Sequence, residues 1–538
     1  MINFICKHQT AYYLYLPNDQ LEDSFKILKK YLDAAFNMDI SISKENKGPY
    51  LTYINKDVDG VGLSIENNNV ILYGHDKYGS YDAIMEFLSH YINLEIYAKT
   101  CIKFKKKASL IIKNEYYYVP SFKYRIASYG FLRTDESLKR MTHLISNDEL
   151  FITGNNFHNA FYFMQYGNNK LKDEYLSDDK KQLAFSNSQV REIFVSNVNK
   201  YLFDHEKDIA DKKYLVLGME DNLSWASSIS NLKNESDEMI DFINFVEEKI
   251  NKNRKNKIIF LLFSYYHTLK APINKKCNDN VGVIFAPIKA RFRHSFAHLD
   301  NKEYLLNLNK WSTYTNYLFA WTYNFYTRRN FITYDTFSSL KENYQLLKDR
   351  GVKFLYDQTE SYSFNQTGFS ILKAYLQTKL LWNTSLDINK LIKYFFINYY
   401  QEAAIEIYKI FKTTLKQYKA LYKKENIDPQ VALLEENADK YSEIGQRLNN
   451  FKCFKSTSFK EFIFKTNNEF KKLLKKYQSN ETLYQRLLLE SVQYKYLGYC
   501  LKRPNKKGFQ QFLTLLKEVG ITHYKEGGNI GENIMESF

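Results

Sequence analysis

From Pro120 to about residue 370 the chain keeps one rhythm: a short apolar run, then a longer stretch whose apolar positions recur at helical spacing. That alternation is the pattern of βα units, because consecutive parallel strands need a crossover between them and a helix supplies it. Seven runs qualify as strands, at residues 124–127, 150–153, 214–218, 257–263, 281–285, 318–322 and 352–356. With an eighth near residues 183–185 they complete a (β/α)8-type barrel; without it the barrel is irregular.

The flanks follow other rules. Residues 1–118 read as a small α/β sandwich domain, with a strand at 12–16, an amphipathic helix at 21–36 and strands at 61–65 and 70–73. Asn67, Asn68 and Asn69 separate the last two, and Asn tolerates the positive φ of a hairpin turn. Ile84, Phe87, Leu88 and Tyr91 recur at helical spacing, so a helix is expected over that hairpin. The barrel occupies 119–370, and an all-helical domain follows at 371–524, with stops at Asp428-Pro429 and Arg503-Pro504. Residues 525–538, with Gly527, Gly528 and Gly531 and no periodicity, are expected to be a mobile tail. The fold class is α/β.

Composition narrows the function classes. The formal charge of +16 favours an anionic partner, but Lys is dispersed and often beside Asp or Glu, which argues for a solvated basic surface and against nucleic acid. Five scattered cysteines without a CxxC pair point to free thiols in a reducing compartment. The first 15 residues lack the pattern of a signal peptide, and the longest apolar run, 258–263, is too short to cross a bilayer, so a cytoplasmic chain without a transmembrane segment is expected. No Walker loop, GxSxG, HExxH or dinucleotide fingerprint is present, and no cofactor is expected. The 46 Tyr and 40 Phe offer planes on which sugars stack, and equally fit the residue usage of AT-rich coding.

In a barrel the C-terminal ends of the strands converge on one face, so acids there are the first candidates for proton transfer. Two strand ends qualify: Glu220, Asp221 and Asn222 after the run at 214–218, and Asp357, Gln358 and Glu360 after the run at 352–356. Glycoside cleavage needs one carboxyl to protonate the leaving oxygen and a second group acting at the anomeric carbon, a role that the substrate's own acetamide fills in substrate-assisted enzymes. One acid from each loop suits either scheme; equally, such residues serve as helix caps. Trp321, Tyr323 and Asn324 end another strand and offer an aromatic sugar floor or a core contact. His158 and Asn155 follow the run at 150–153, and Arg125 within the first strand joins the polar candidates. His294 and His298, four apart, share a helix face in this reading, but no third ligand has suitable spacing and no metal is expected.

Several blocks resemble a known family. Val352-Lys353 through Asp357-Gln358, then Leu372-Lys373-Ala374-Tyr375-Leu376 and Lys379-Leu380-Leu381-Trp382-Asn383, resemble the barrel's end in a family first catalogued as a domain of unknown function and now associated with endo-β-N-acetylglucosaminidases of glycoside hydrolase family 163. Phe319-Ala320-Trp321-Thr322-Tyr323, Ser295-Phe296-Ala297-His298, Asp173-Glu174-Tyr175-Leu176, residues 183–187 and Asp221-Asn222 look like further blocks of it. Residues 71–74 and Tyr78-Gly79-Ser80-Tyr81-Asp82-Ala83-Ile84 are similar to the domain preceding the barrel in hexosaminidases and α-glucuronidases. The resemblance covers roughly residues 50–400. It implies a glycoside hydrolase acting on a glycan, one containing N-acetylhexosamine, with Asp357 or Glu360 opposite Asp221 or Glu220. The chain departs from the family pattern at Asp357, where Glu is common, at Asn155, where His is common, and at Thr322, where Asp is common. The alternative is a catalytically impaired carbohydrate-binding or scaffold protein in polysaccharide synthesis or remodelling.

Overall fold

The computed structural model describes residues 1–75, 78–167, 170–226, 234–325, 330–425, 456–502, 504–525 and 528–531. Its first sheet has six strands in the order Tyr116–Tyr118, Val61–Glu66, Asn69–Gly74, Tyr50–Asn55, Tyr13–Tyr15, Ile42–Ser43. The expected hairpin forms with Glu66 opposite Asn69, so the loop is two residues long. Asn67 and Asn68 take φ of 49° and 64°, the double positive φ that lets a two-residue turn follow the strands' twist. Asn69 therefore begins a strand rather than ending the turn. Helix Glu22–Phe36 and helix α1, Gly79–Ile92, pack together, with α1 on the hairpin. Each ends on an Asn in the left-handed region, Asn37 and Asn93, a conformation that Asn adopts more readily than most side chains.

The second sheet is parallel. Its strands in chain order are β1 Tyr124–Ala127, β2 Tyr214–Val216, β3 Ile259–Ser264, β4 Val281–Phe285, β5 Leu318–Tyr323 and β6 Phe354–Gln358, laid out in space as β1-β6-β5-β4-β3-β2. Every residue of β3 and β4 is buried, as expected where both faces of a parallel sheet are covered. The sheet is curled: Tyr124 and Tyr214, on its opposite edge strands, bring their rings within 5.9 Å. It is a half-barrel, not a closed (β/α)8 barrel. The run at 150–153 contributes one parallel bridge, Phe151 to Tyr214, because Asn147–Leu150 is already helical. The run near residues 183–185 contributes no strand; Leu183 makes a single antiparallel bridge to Leu176.

From Ser370 onward the described residues form helices α4, Ser370–Trp382, then Ile388–Tyr400, Ala404–Glu425, Thr457–Lys476, Glu481–Leu501 and Lys506–Glu518. The stop at Asp428-Pro429 and Arg503 lie outside the described residues. These helices dock on the half-barrel through buried polar contacts: Gln493 Oε1 accepts from Thr333 N at 3.1 Å and Oγ1 at 2.8 Å, and Glu490 accepts from Phe369 N at 2.9 Å. The chain forms a short strand pair at the start of the expected tail. His523–Lys525 pairs with Gly528–Asn529, and Tyr524 O accepts from Asn330 N at 3.0 Å; residues 526–527 and 532–538 lie outside the described residues. Among the described residues no helix is long and apolar enough to cross a membrane.

Candidate functional site

Strand alternation decides which side chains reach the half-barrel's interior. β5 and β6 pair in register, with Phe319 opposite Phe354, Trp321 opposite Tyr356 and Tyr323 opposite Gln358. These pairs form successive layers on the concave side. Phe319 and Phe354 meet Tyr214 and Phe151 across it at 5.1 and 5.3 Å, and Trp321 meets Phe157 and Phe263 at 5.2 and 5.9 Å. The intervening pair, Thr322 opposite Asp357, points the other way because side chains on a strand have period two.

The mouth therefore has an aromatic floor. Trp321 and Tyr356 lie with ring centroids 3.9 Å apart, and the Trp321 indole donates to Gln358 Oε1 at 2.8 Å. Above it stand His158, its ring parallel to Phe263, and Tyr265, whose hydroxyl donates to Asp221 Oδ1 at 3.0 Å. Glu220 is half-buried and accepts from Phe161 N at 2.8 Å. Burial pushes its carboxyl above the ordinary 4.5, against the pull of the Phe161 amide and His158, and the Asp221 charge adds to the rise. His158 is held by a 2.8 Å contact between Nδ1 and Met219 O.

Two residues that sequence reasoning missed hold the acidic loop. The side chain of Asn159 donates to Val216 O and accepts from Gly218 N, at 2.8 and 3.1 Å. Gln182, fully buried, accepts from Glu220 N at 3.1 Å and donates to Glu220 O at 3.3 Å, a side-chain amide pairing with a peptide as a neighbouring strand would. The segment expected to supply an eighth strand thus supplies this clamp. Gly218 is required there, since a Cβ would meet Phe157 O at 2.0 Å. Asn222 serves the same loop, donating to Lys181 O at 2.8 Å. Tyr265 and Tyr356 were also missed; Tyr265 directly follows a strand, and that position was the available signal.

The second acidic loop does not reach the mouth. The strand extends through Gln358, so Asp357 lies within it and faces the surrounding helices, at 0% exposure. Asn324 donates to both its oxygens at 3.0 and 2.8 Å, Gln377 of α4 donates at 2.7 Å, and Tyr344 of helix α3, Leu340–Asp349, donates through its hydroxyl. Burial raises its pKa above the ordinary 3.8 despite these donors. Lys373 of α4 lies beside it, donating to Asn324 O and Tyr334 O, and burial pushes its ammonium down to about 7. Glu360 is 1% exposed, with Tyr362 N, Ser363 N and the Asn330 side chain donating to it. Removing the Asp357 carboxylate strands three buried donors, so Asp357→Ala is expected to cost about 3 kcal/mol of stability, read as a lower urea midpoint.

The remaining candidates lie apart. Arg125 is 2% exposed and engaged by Asp82 of α1. Asn155 is exposed and bonds Asn147 and Asp148. His298 and His294 sit in the loop after β4, not on a helix, with rings stacked at 4.2 Å. The fold brings Asp300 to them, so that three ligand atoms lie within 4.8 Å of one another, but Arg291 occupies the Asp300 carboxylate at 2.8 Å and its charge opposes a cation there. A cavity of about 720 Å³, lined by Lys56, Tyr124, Arg125 and Tyr214 among others, opens at the other end of the strands.

The family model described as Domain of unknown function (DUF4838) matches residues 97–412. No curated protein matches the chain. Among solved structures, a family GH115 4-O-methyl-α-glucuronidase with specificity for decorated arabinogalactans is similar at 12% identity and TM-score 0.55, over 100% of this chain and 80% of that one. A GH138 enzyme targeting pectin rhamnogalacturonan II aligns at 9% identity and TM-score 0.45, over 94% and 91%. A Streptomyces plicatus N-acetyl-β-hexosaminidase aligns at 10% and 0.42, over 73% and 91%. The first likeness shows a shared fold.

Proposed function

The chain belongs to the DUF4838 family, and from that footing we propose that it is a glycoside hydrolase that takes an N-acetylhexosamine-containing glycan at the mouth of its half-barrel. The observation that carries this reading is the pairing of two consecutive carboxyls, Glu220 and Asp221, beside an aromatic floor of Trp321 and Tyr356. A pyranose presents C–H groups on its face and hydroxyls at its edge, which suits an indole plane rimmed by Gln358, His158 and Tyr265. With its pKa raised, Glu220 is protonated further toward neutral pH than an ordinary Glu and acts as general acid to the leaving oxygen. Asp221, oriented by the Tyr265 hydroxyl, accepts from the acetamide N–H. The acetamide oxygen then attacks the anomeric carbon as the glycosidic bond breaks. Water, deprotonated by the Glu220 carboxylate, opens the resulting ring and restores the acid. The GH163-type endo-β-N-acetylglucosaminidase resemblance supports the N-acetylhexosamine part of this reading, while the second acid it implies, Asp357 or Glu360, is buried away from the mouth.

A second reading, carbohydrate binding without turnover, is favoured by one observation: Asp357 and Glu360 are both withdrawn from the mouth, leaving it a single acidic loop. Incubation with aryl N-acetylhexosaminides and N-glycans separates the two. Turnover lost in Asp221→Asn supports hydrolysis; binding without turnover supports the second reading. Trp321→Ala is expected to weaken glycan binding about tenfold, the worth of one stacking plane, and affinity indifferent to Trp321 removes the site from both readings.

A further inference from the structure

The loop at residues 286–301 leaves β4 at its C-terminal end, on the same side as Glu220 and Asp221. It carries Lys289, Arg291, Arg293, His294 and His298 against one carboxylate, Asp300. Phe292, fully buried, fixes the loop against the mouth, its ring 5.9 Å from that of Tyr323. Two of the three permanent cations already face acids: Arg291 bonds Asp300 at 2.8 Å, and the charge of Arg293 bears on buried Asp335. Lys289 has no acidic partner among the described residues. Its half-exposed side chain places Nζ 5.9 Å from the centre of the Tyr266 ring. Tyr266 in turn lies 4.2 Å from Tyr265, the residue that holds Asp221.

Building on the glycan reading above, we propose that the saccharide taken by this mouth is anionic, and that Lys289 binds its uronate carboxylate or sulfate ester. An ammonium two rings from the Asp221 carboxylate gives the mouth two electrostatic ends. Asp221 repels an anion at the floor, so the acidic group lies toward Lys289, and the glycan is held in one direction. The loop's excess of permanent cations over its one carboxylate, Asp300, also speeds the approach of an acidic chain.

Calorimetry on the full chain at low ionic strength tests this with three oligosaccharides of matched length: neutral chitin, uronate-bearing hyaluronan, and keratan sulfate, which carries sulfate without uronate. At least one acidic oligosaccharide is expected to bind about tenfold more tightly than the neutral one, a margin that shrinks as salt screens the contact. Preference for hyaluronan assigns a carboxylate, and preference for keratan sulfate a sulfate. Lys289→Gln is expected to abolish the margin and Lys289→Arg to retain most of it, with unchanged melting temperatures. Equal affinity for all three, or a margin that survives Lys289→Gln, overturns the inference while leaving the glycan site intact. Binding of none of them overturns both.

Discussion

Glu220→Gln is expected to lower turnover of N-acetylhexosaminides about 10²–10⁴-fold, the usual range for loss of a positioned general acid. Glutamine keeps the shape of the side chain and can still accept from Phe161 N, so the loop and the glycan affinity stay in place. The wild-type pH profile adds a readout that a merely structural role would not move. Burial is the main cause of the raised pKa, and in the proposed mechanism the protonated carboxyl is the active form, so activity is expected to be lost as pH rises through that value, which lies above the ordinary 4.5. An alkaline limb at the ordinary carboxylate value would sink the assignment of Glu220 as the acid. A leaving group that needs no protonation should recover much of the lost rate in Glu220→Gln.

Arg125→Ala is expected to unfold the chain more readily by about 3–5 kcal/mol, the cost of leaving a buried charge without its partner. Every donor group of this guanidinium is used. Nη2 pairs with Asp82 at 2.5 Å, Nη1 donates to Phe122 O and Lys123 O at 2.7 and 3.0 Å, and Nε donates to His143 O at 2.7 Å. Asp82 also takes His143 Nδ1 at 2.9 Å, and His143 stacks on Trp382 of α4 at 3.7 Å. The cluster thus ties α1 of the first sheet to β1 and to the helices behind it. Arg125→Lys is expected to be nearly as damaging, because a single ammonium nitrogen with three N–H donors cannot reproduce four hydrogen bonds spread over the three nitrogens of a planar fork. Burial pushes the Asp82 carboxyl up, but Arg125 and His143 outweigh it and hold it below the ordinary 3.8. Its contribution to stability is therefore present above the unfolded value, about 3.9, and lost as pH falls through the lower folded value. Urea midpoints should decline in that acid window for the wild type and less steeply for Asp82→Asn. A midpoint for Arg125→Ala within about 1 kcal/mol of the wild type would show that the joint is not held this way.

Arg125 and Asp357 show why residue type and position along the chain were insufficient guides to the mouth. Both are polar residues in strands of the parallel sheet, and both looked available for chemistry. Arg125 lies near the start of β1 and bonds Asp82, 43 residues earlier in the chain, a pairing no local pattern announces. Asp357 was placed just beyond a strand ending at 356, where a side chain is free to turn toward the mouth. The strand runs two residues further, which commits Asp357 to the outward phase and to Tyr344 and Gln377.

Local order was legible because it depends on neighbours in sequence. The period of apolar residues set the βα rhythm, the Asn pair set the hairpin turn, and long helical periodicity set the helices after residue 370. Glu220, Asp221, His158, Trp321, Tyr323 and Gln358 were all found as strand-end candidates, and the fold brings them together. Curling, clamping and facing belong to the tertiary structure alone. How far a sheet closes depends on the packing of side chains from different strands across its concave face, here Phe151, Tyr214, Phe319 and Phe354. Whether a carboxyl is a catalyst or part of the wall depends on strand phase and on partners brought from distant helices. Gln182 makes the same point: an amide 38 residues from Glu220 stands in for a missing strand, and only the folded chain brings the two together.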